Sequence, residues 1–332
     1  AGDVEVSTAI DIAPAKRHLP IITNSAAKTF RRCAREYQNS YVERVRSVRV
    51  SDALRFGTLI HLALEAWWKT ANLERALAAL DVESDPYERA KAEALIIGYD
   101  MRWCDEQYDV LAVECEFTAP LINPDTGRAS TAWSRGGKID AIARRNGLDV
   151  VIEHKTTSED IGLGSDYWKR LTLDTQISGY LVGARALGYE PQGVVYDVIR
   201  KPALRPLMAT PVEAQKRKAD GSLYANQREE SEMPTQYRNR ILADIGERPS
   251  WYYQRCEIVR LAIDEHEAAV DLWQLAGQIR ESTRRGVFPR NPDACVRYGR
   301  TCDYFGVCTR TESLDDESKF RRADTAHEEL SL

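Results

Sequence analysis

Apolar positions along the chain switch between a helical spacing and a strict alternation, and each switch marks an element boundary. Phe30, Cys33, Tyr37 and Tyr41 recur at helical spacing, which predicts a helix from an Asn24 or Ser25 cap to about Val45. A second helix, capped by Ser51 or Asp52, runs to about Lys69 and puts Gly57 and His61 on one face. Ser84-Asp85-Pro86 starts a third, to about Asp105. The period then falls to two: Val113, Cys115 and Phe117 alternate with Glu114 and Glu116, as in a strand. TAWSRGGKIDAIARR and LDVVIEHKT flank Asn146-Gly147, the strongest short signal for a β-hairpin. A helix from about Asp174 to Leu187 and a strand in GVVYDVIRK follow. Residues 201–232 are polar, with Pro and Gly, and read as a long loop or insertion. A helix near 234–246, a strand near 251–261 and a helix near 264–285 complete the pattern. Residues 1–22 read as an irregular lead-in, and the acidic stretch 311–332 as a frayed or disordered tail. No internal repeat is visible. The succession predicts an α/β fold, taken as one domain over 23–310 with an insertion.

Composition narrows the picture. Of 332 residues, 43% are hydrophobic and 29% charged, enough for a core and against a disordered chain. No run approaches the ~18 apolar residues of a spanning helix. The opening residues lack a basic stretch followed by an apolar one, which predicts no secretory leader and a cytoplasmic location, with no membrane partner. The net charge of −5 argues against a globally basic nucleic-acid coat protein. Residues 28–55 nevertheless carry eight basic side chains against three acidic ones, either a local nucleic-acid patch or a solvated helix face.

The hairpin carries candidate chemistry. With Asn146-Gly147 as a two-residue loop, Arg145 faces Leu148, Asp140 faces Glu153 and Lys138 faces Lys155. Alternation then puts these last four side chains on one face and Ile139, Ile152 and His154 on the other. Two carboxylates ~5 Å apart across a strand pair repel, and a divalent cation is the natural compensation. Oxygen ligands favour Mg²⁺ or Mn²⁺. Lysines on the same face suit phosphate chemistry, because an ammonium can orient water and offset charge developing on phosphorus. Taken alone, the same residues also fit an exposed sheet face of alternating charge.

The order Gly57-x3-His61, Gly137-x2-Asp140, Glu153-x-Lys155, Gln176-x3-Tyr180 resembles the PD-(D/E)XK nucleases of the RecB type, a group that includes Cas4 nucleases, the nuclease domains of AddAB helicase-nucleases and many phage exonucleases. The resemblance spans about 25–308. It implies a restriction-endonuclease-like core, a central mixed sheet flanked by helices. It implies that His61, Asp140 and Glu153 bind a metal, with the backbone carbonyl of His154 as a further ligand. Lys155 would then position the attacking water, Gln176 and Tyr180 would contact DNA or orient the site, and Glu116 would be an outer acid. A histidine ligand makes Mn²⁺ a plausible preference beside Mg²⁺. The expected activity is hydrolysis of DNA, as an exonuclease on ends or single strands in recombination, repair or phage DNA processing. A single-strand endonuclease and a non-catalytic or partner-dependent DNA-binding module are the alternatives. Trp67, Trp68 and Tyr180 can stack bases or simply pack the core. The chain has no P-loop pattern, so any helicase or recombination motor would be a partner.

Seven cysteines, an odd number, argue against a disulfide framework and for a reducing compartment. Cys295, Cys302 and Cys308 cluster near the C-terminus and need a fourth thiolate to close a site, for which Cys33 is the candidate. The same arrangement, one cysteine before the nuclease core and three after it, occurs in iron–sulfur nucleases of the family and implies a [4Fe–4S] cluster, with structural Zn²⁺ as the rival. The common family spacing is C-x2-C-x5-C, whereas six residues separate the first two here. Cys104, Cys115 and Cys256 read as buried free thiols. A redox protein using only the cysteine site is a further alternative; it would be indifferent to Asp140.

Overall fold

The computed structural model describes residues 19–297 and 299–330. The first 18 residues of the predicted lead-in lie outside it. The chain begins with β1 (Ile21–Ile22), α1 (Asn24–Arg32), α2 (Ala34–Tyr37), β2 (Val45–Ser47), α3 (Asp52–Thr70), α4 (Leu73–Ala78) and α5 (Pro86–Trp103). Its centre holds β3 (Asp109–Ile122), β4 (Ala129–Arg145), β5 (Leu148–Thr157), α6 (Asp166–Leu171), α7 (Thr175–Ala186) and β6 (Gly193–Arg200). After the long loop come α8 (Pro234–Glu247), α9 (Pro249–Tyr252), β7 (Tyr253–Ile258) and α10 (Ala262–Arg285). The last elements are β8 (Val296–Arg297), β9 (Arg300–Thr301), α11 (Phe305–Thr309) and β10 (Phe320–Arg322).

The architecture is the expected α/β one, a mixed six-stranded sheet between helices. The path runs β1-β4-β5-β6-β7, with β3 on β4's other edge. Because β3 follows β4 along nearly its whole length, β1 and β5 must share the opposite edge. β1 takes Ser134 and Arg135, and β5 takes Ala141 to Arg145. Between them, from Gly136 to Asp140, that edge carries no strand among the described residues. Helices α3, α4, α5, α8 and α9 cover one face of the sheet. Helices α6 and α7 cover the other, and α1 packs with α10 at the end nearest β1.

The Asn146-Gly147 turn sets the predicted register, with Arg145 opposite Leu148 and Ala141 opposite Ile152. There the ladder stops. The expected cross-strand pairs Asp140–Glu153 and Lys138–Lys155 do not form, because β5 leaves β4 and continues on β6 alone, in parallel, as far as Thr157. Asp140 takes the place of the ladder: its Oδ2 accepts the His154 backbone N–H at 2.7 Å. A second irregularity lies on the other side of β4. Glu114 adopts a left-handed φ of 53° between the pairs Val113–Ala141 and Cys115–Ile139. Alternation inverts across this point, so Val113 packs beneath α3 and α5 while Cys115 and Phe117 pack beneath α6 and α7. Ile139 likewise faces α7 while Ile152 faces α3. A strict period of two cannot represent that inversion.

Three local expectations change. The helix predicted from 24 to 45 breaks at Cys33, which is extended (φ −161°, ψ 114°), and Thr23 rather than Asn24 or Ser25 provides the cap. Segment 288–291 explains the break: Arg35 N bonds Pro289 O at 3.1 Å, and Asn291 Nδ2 donates to Arg32 O at 2.8 Å. The lead-in reading fails at Ile21–Ile22, which pair with β4. The tail expected to fray instead folds back, with β10 antiparallel on β2 and buried Phe320 stacked 5.7 Å from Tyr304. Its pairing partner lies far away in sequence, and three residues give no readable alternation.

Behind the parting strands, His154, Asp197 and Arg255 stand side by side on β5, β6 and β7. Asp197 is 1% exposed. Its Oδ2 lies 3.2 Å from His154 Nδ1 and its Oδ1 3.0 Å from Arg255 Nε. The Tyr99 hydroxyl donates to Asp197 and accepts from Trp68 Nε1 at 3.0 Å. The Arg255 guanidinium sits 4.2 Å over the Trp103 ring. Burial pushes the Asp197 carboxyl up, but Arg255 and His154 outweigh it and hold the group well below the usual carboxylate range. Asp197→Ala leaves Arg255 with only the more exposed Glu106 as counter-ion and takes away the His154 and Tyr99 partner, and we expect a loss of about 3 kcal/mol in urea unfolding. A loss below ~1 kcal/mol would remove this row as a support.

Candidate active site

The open edge of β4 is the floor of a cleft of about 470 Å³. Helix α3, begun by a Ser51 side-chain cap on Leu54 N at 3.2 Å, carries Gly57 and His61 into one wall. Gly57 lies against Thr156, leaving only contact distance for a Cβ. β5 brings Glu153 and Lys155. Helix α7, capped by Asp174 through the Gln176 N–H at 2.9 Å, brings Gln176, Gly179 and Tyr180. Thr23, Asn24 and Ser25 close one side with Glu329 and Leu330 from the folded-back tail. Thr23 Oγ1 donates to Glu329 Oε1 at 2.7 Å.

The residues singled out from sequence therefore converge, in two groups. His61 Nδ1 lies 3.7 Å from Asp140 Oδ1. Glu153 contacts Lys155 and accepts from Gln176 Nε2 at 3.3 Å, and Gln176 Nε2 also reaches the Tyr180 hydroxyl oxygen. The electrostatics are those of crowded charge in a poor solvent. Burial, then the nearby Glu153, pushes the Asp140 carboxyl well up from its ordinary value. Burial lowers His61 to about 3, with His154, Lys155 and Lys138 adding to the effect. Lys155 is pulled down by burial but more than restored by Glu153 and Asp140, so it stays protonated. Tyr180, 7% exposed, is raised far up by burial and the same two carboxylates and stays neutral.

Glu114 is the residue that sequence reasoning misplaced. Glu116, expected as the outer acid, is exposed. Glu114 instead enters the cleft, pairs with Lys138, and brings a carboxylate oxygen into a group with His61 and Asp140 in which all ligand atoms lie within 4.8 Å of one another. Among the described residues this is the group of three or more side chains arranged to take a metal ion. Glu153 lies beside it, its Oε2 buried without a hydrogen-bond partner among the described residues. The signal for Glu114 is its position opposite Asp140, which its left-handed backbone conceals from a strict alternation.

The structure bears on two readings that the sequence left open. Trp67, Trp68 and Tyr180 are at most 9% exposed and pack the two cores, so their rings are not free to stack bases. Much of the basic 28–55 segment is engaged internally. Lys28 pairs with Asp174, Arg32 with Glu36, Arg46 with Glu328 and Arg55 with Glu83, while Arg44 bonds Asp324 O.

A second cavity, of about 390 Å³, is lined by Cys33, Cys295, Cys302 and Cys308 together. The long Cys295–Cys302 interval is taken up by the β8–β9 hairpin, turned at Gly299, and Cys302 N bonds Cys295 O at 2.8 Å. The extra residues thus leave the two cysteines side by side. Cys33 reaches the cavity because the helix breaks there. Burial raises Cys302 and Cys308, and neighbouring thiols add to it. Cys115 and Cys256 are half-buried, whereas Cys104, expected inside, is exposed just after α5.

No helix is long and apolar enough to cross a membrane among the described residues. No curated protein matches the chain in sequence. Among solved structures the chain is similar to a candidate exonuclease from Eubacterium rectale, at 12% identity and TM-score 0.46 over 89% of this chain and 90% of that one. It is also similar to the structure named SSO0001, at 16% identity and TM-score 0.36 over 81% and 79%. A profile of the PD-(D/E)XK nuclease superfamily matches residues 22–309, a span that takes in both the cleft's central residues and the four cysteines that line the second cavity. The chain belongs to the PD-(D/E)XK nuclease superfamily.

Proposed function

We propose that the protein is a metal-dependent deoxyribonuclease that hydrolyses phosphodiester bonds, as an exonuclease on DNA ends or single strands. The observation that carries this is the donor set at the parting of β4 and β5. His61, Glu114 and Asp140 converge, and Glu153 Oε2 is buried beside them without a hydrogen-bond partner among the described residues. A buried carboxylate oxygen left unpaired costs about 1–3 kcal/mol or more, and a cation relieves that cost. Oxygen donors with one imidazole suit Mg²⁺ or Mn²⁺.

His61, Asp140, Glu153 and the His154 carbonyl would hold the ion, with Glu114 as a further donor. The cation, when bound, supplies Lewis-acid stabilisation of charge on the phosphoryl oxygens. The chain's own residues do the rest. Lys155, protonated and fixed by Glu153, directs an ammonium N–H toward the position of the attacking water and balances charge developing on phosphorus. Gln176 holds Glu153 in place, and the neutral Tyr180 hydroxyl steadies Gln176.

The four cysteines are read as ligands of a [4Fe–4S] cluster that ties the α1–α2 junction to the C-terminal segment, with no open position for substrate. Their shared cavity and the contribution of both chain regions support that reading. Structural Zn²⁺ is the competing occupant.

The central test is cleavage of linear and circular DNA, single- and double-stranded, with Mg²⁺, Mn²⁺ or EDTA. We expect metal-dependent loss of linear DNA with circles spared; circle cutting would make the protein an endonuclease. Glu153→Ala and Lys155→Ala should each lower cleavage by about 10²-fold or more with melting unchanged. Wild-type rates in either would remove the assignment. Glu114→Gln should weaken Mn²⁺ binding, measured calorimetrically without DNA, by about tenfold, while Glu116→Gln leaves it unchanged. Equal affinities would take Glu114 out of the ligand set. Cys33→Ala should lose bound iron and sulfide and melt at lower temperature; zinc in place of iron in the wild type would overturn the cluster.

A further inference from the structure

Arg135 ends the stretch of β4 that pairs with β1, and its side chain lies half-buried against α7. Its Nη2 is 3.5 Å from the Thr175 carbonyl oxygen. A Cβ on Gly179 would meet that nitrogen at 2.3 Å, so the glycine inside the Gln176-x3-Tyr180 motif makes room for the guanidinium. Arg31, exposed on α1, approaches the same residue from the other side, with Nη1 3.4 Å from Thr175 Oγ1. Two like charges thus converge on Thr175, and neither has a carboxylate partner among the described residues. The cleft's other cations are engaged, Lys155 with Glu153 and Lys138 with Glu114, and Lys28 nearby on α1 pairs with Asp174. Burial lowers the Arg135 guanidinium to about 10, and no acid acts against it.

A guanidinium withdrawn from water without a counter-charge is costly. The cost falls when an anion arrives, and Arg135 lines the same cleft as His61, Asp140 and Glu153. Along β4 it stands five residues before Asp140, about 16 Å at the rise of a strand, too far to serve the bond being cut. We propose that Arg135, which lines the cleft, and Arg31, which lies just outside it, form a phosphate subsite at its edge, binding a DNA phosphate other than the scissile one. This rests on the nuclease reading above. The shared chemistry is a phosphate oxygen on a planar, forked donor, and it is met either by an internal diester or by a terminal monoester.

The test is fluorescence anisotropy in EDTA, where no cleavage occurs, with an internally labelled single strand bearing phosphate or hydroxyl at each end. Arg135→Gln and Arg31→Gln should each raise Kd about tenfold. Each should also flatten the slope of log K against log salt by about 0.7, the release expected for one phosphate on a single strand. Arg135→Lys should recover the salt slope but not the whole affinity. Equal losses on all strands assign an internal diester, and losses confined to phosphorylated ends assign a terminal one. Arg135→Gln should melt no lower than the wild type, because it removes an unpaired cation; if it fails to fold, the exposed Arg31→Gln carries the test. Wild-type affinity and slope in the variants, with the wild type still cutting DNA, would overturn the subsite alone. A wild type that neither binds nor cuts DNA would overturn the nuclease reading and the subsite with it.

Discussion

The hydrogen bond from the His154 amide to the Asp140 carboxylate is the interaction on which the rest of the site depends. It replaces the next rung of the β4–β5 ladder, so the strands part where the hairpin register would otherwise carry on. The parting exposes Gly136 to Asp140 as a floor and turns Glu153 and Lys155 toward α7. It is stable because His154 is held from both sides. Its amide is fixed by Asp140, and its ring stands against Asp197, which Arg255 and Tyr99 hold in turn. A charge row inside a sheet is an expensive way to fix one residue, and such rows are better explained by the geometry they specify than by net stability.

The cleft concentrates mutual repulsion where a fold would ordinarily avoid it. Glu153 disfavours the charge on Asp140, Glu114 joins them, and its left-handed backbone adds a cost of order 1 kcal/mol. Lys155 and Lys138 relieve part of this, but each faces its own carboxylate. What remains is an excess of oxygen donors over fixed cations around His61. That imbalance is the electrostatic form of a cation site.

Sequence reading recovered what depends on local periodicity and turn chemistry. The Asn146-Gly147 turn, the Ser51, Asp85 and Asp174 caps and the long helices fall within a residue or two of their expected places. The spacing Gln176-x3-Tyr180 does place two side chains on one helix face toward Glu153. The failures share a cause, since each depends on a distant segment. Cys33 breaks its helix because residues 288–291 claim the backbone there, and β10 exists because β2 receives it. Glu114 replaces Glu116 because two strands invert together at one irregular position. The tryptophans pack inward, one of the two readings the sequence allowed, because α3 lies beneath α5.

The folded-back tail gives the cleft a wall from far along the chain. Glu328 pairs with Arg46, Glu329 bonds Thr23, and Leu330 lies within reach of the cleft floor. The segment Glu328–Leu330 therefore stands at one side of the cleft opening. A bulky label carried on Glu329 or Leu330 would obstruct the opening sterically, and its effect would be mistaken for a loss of chemistry.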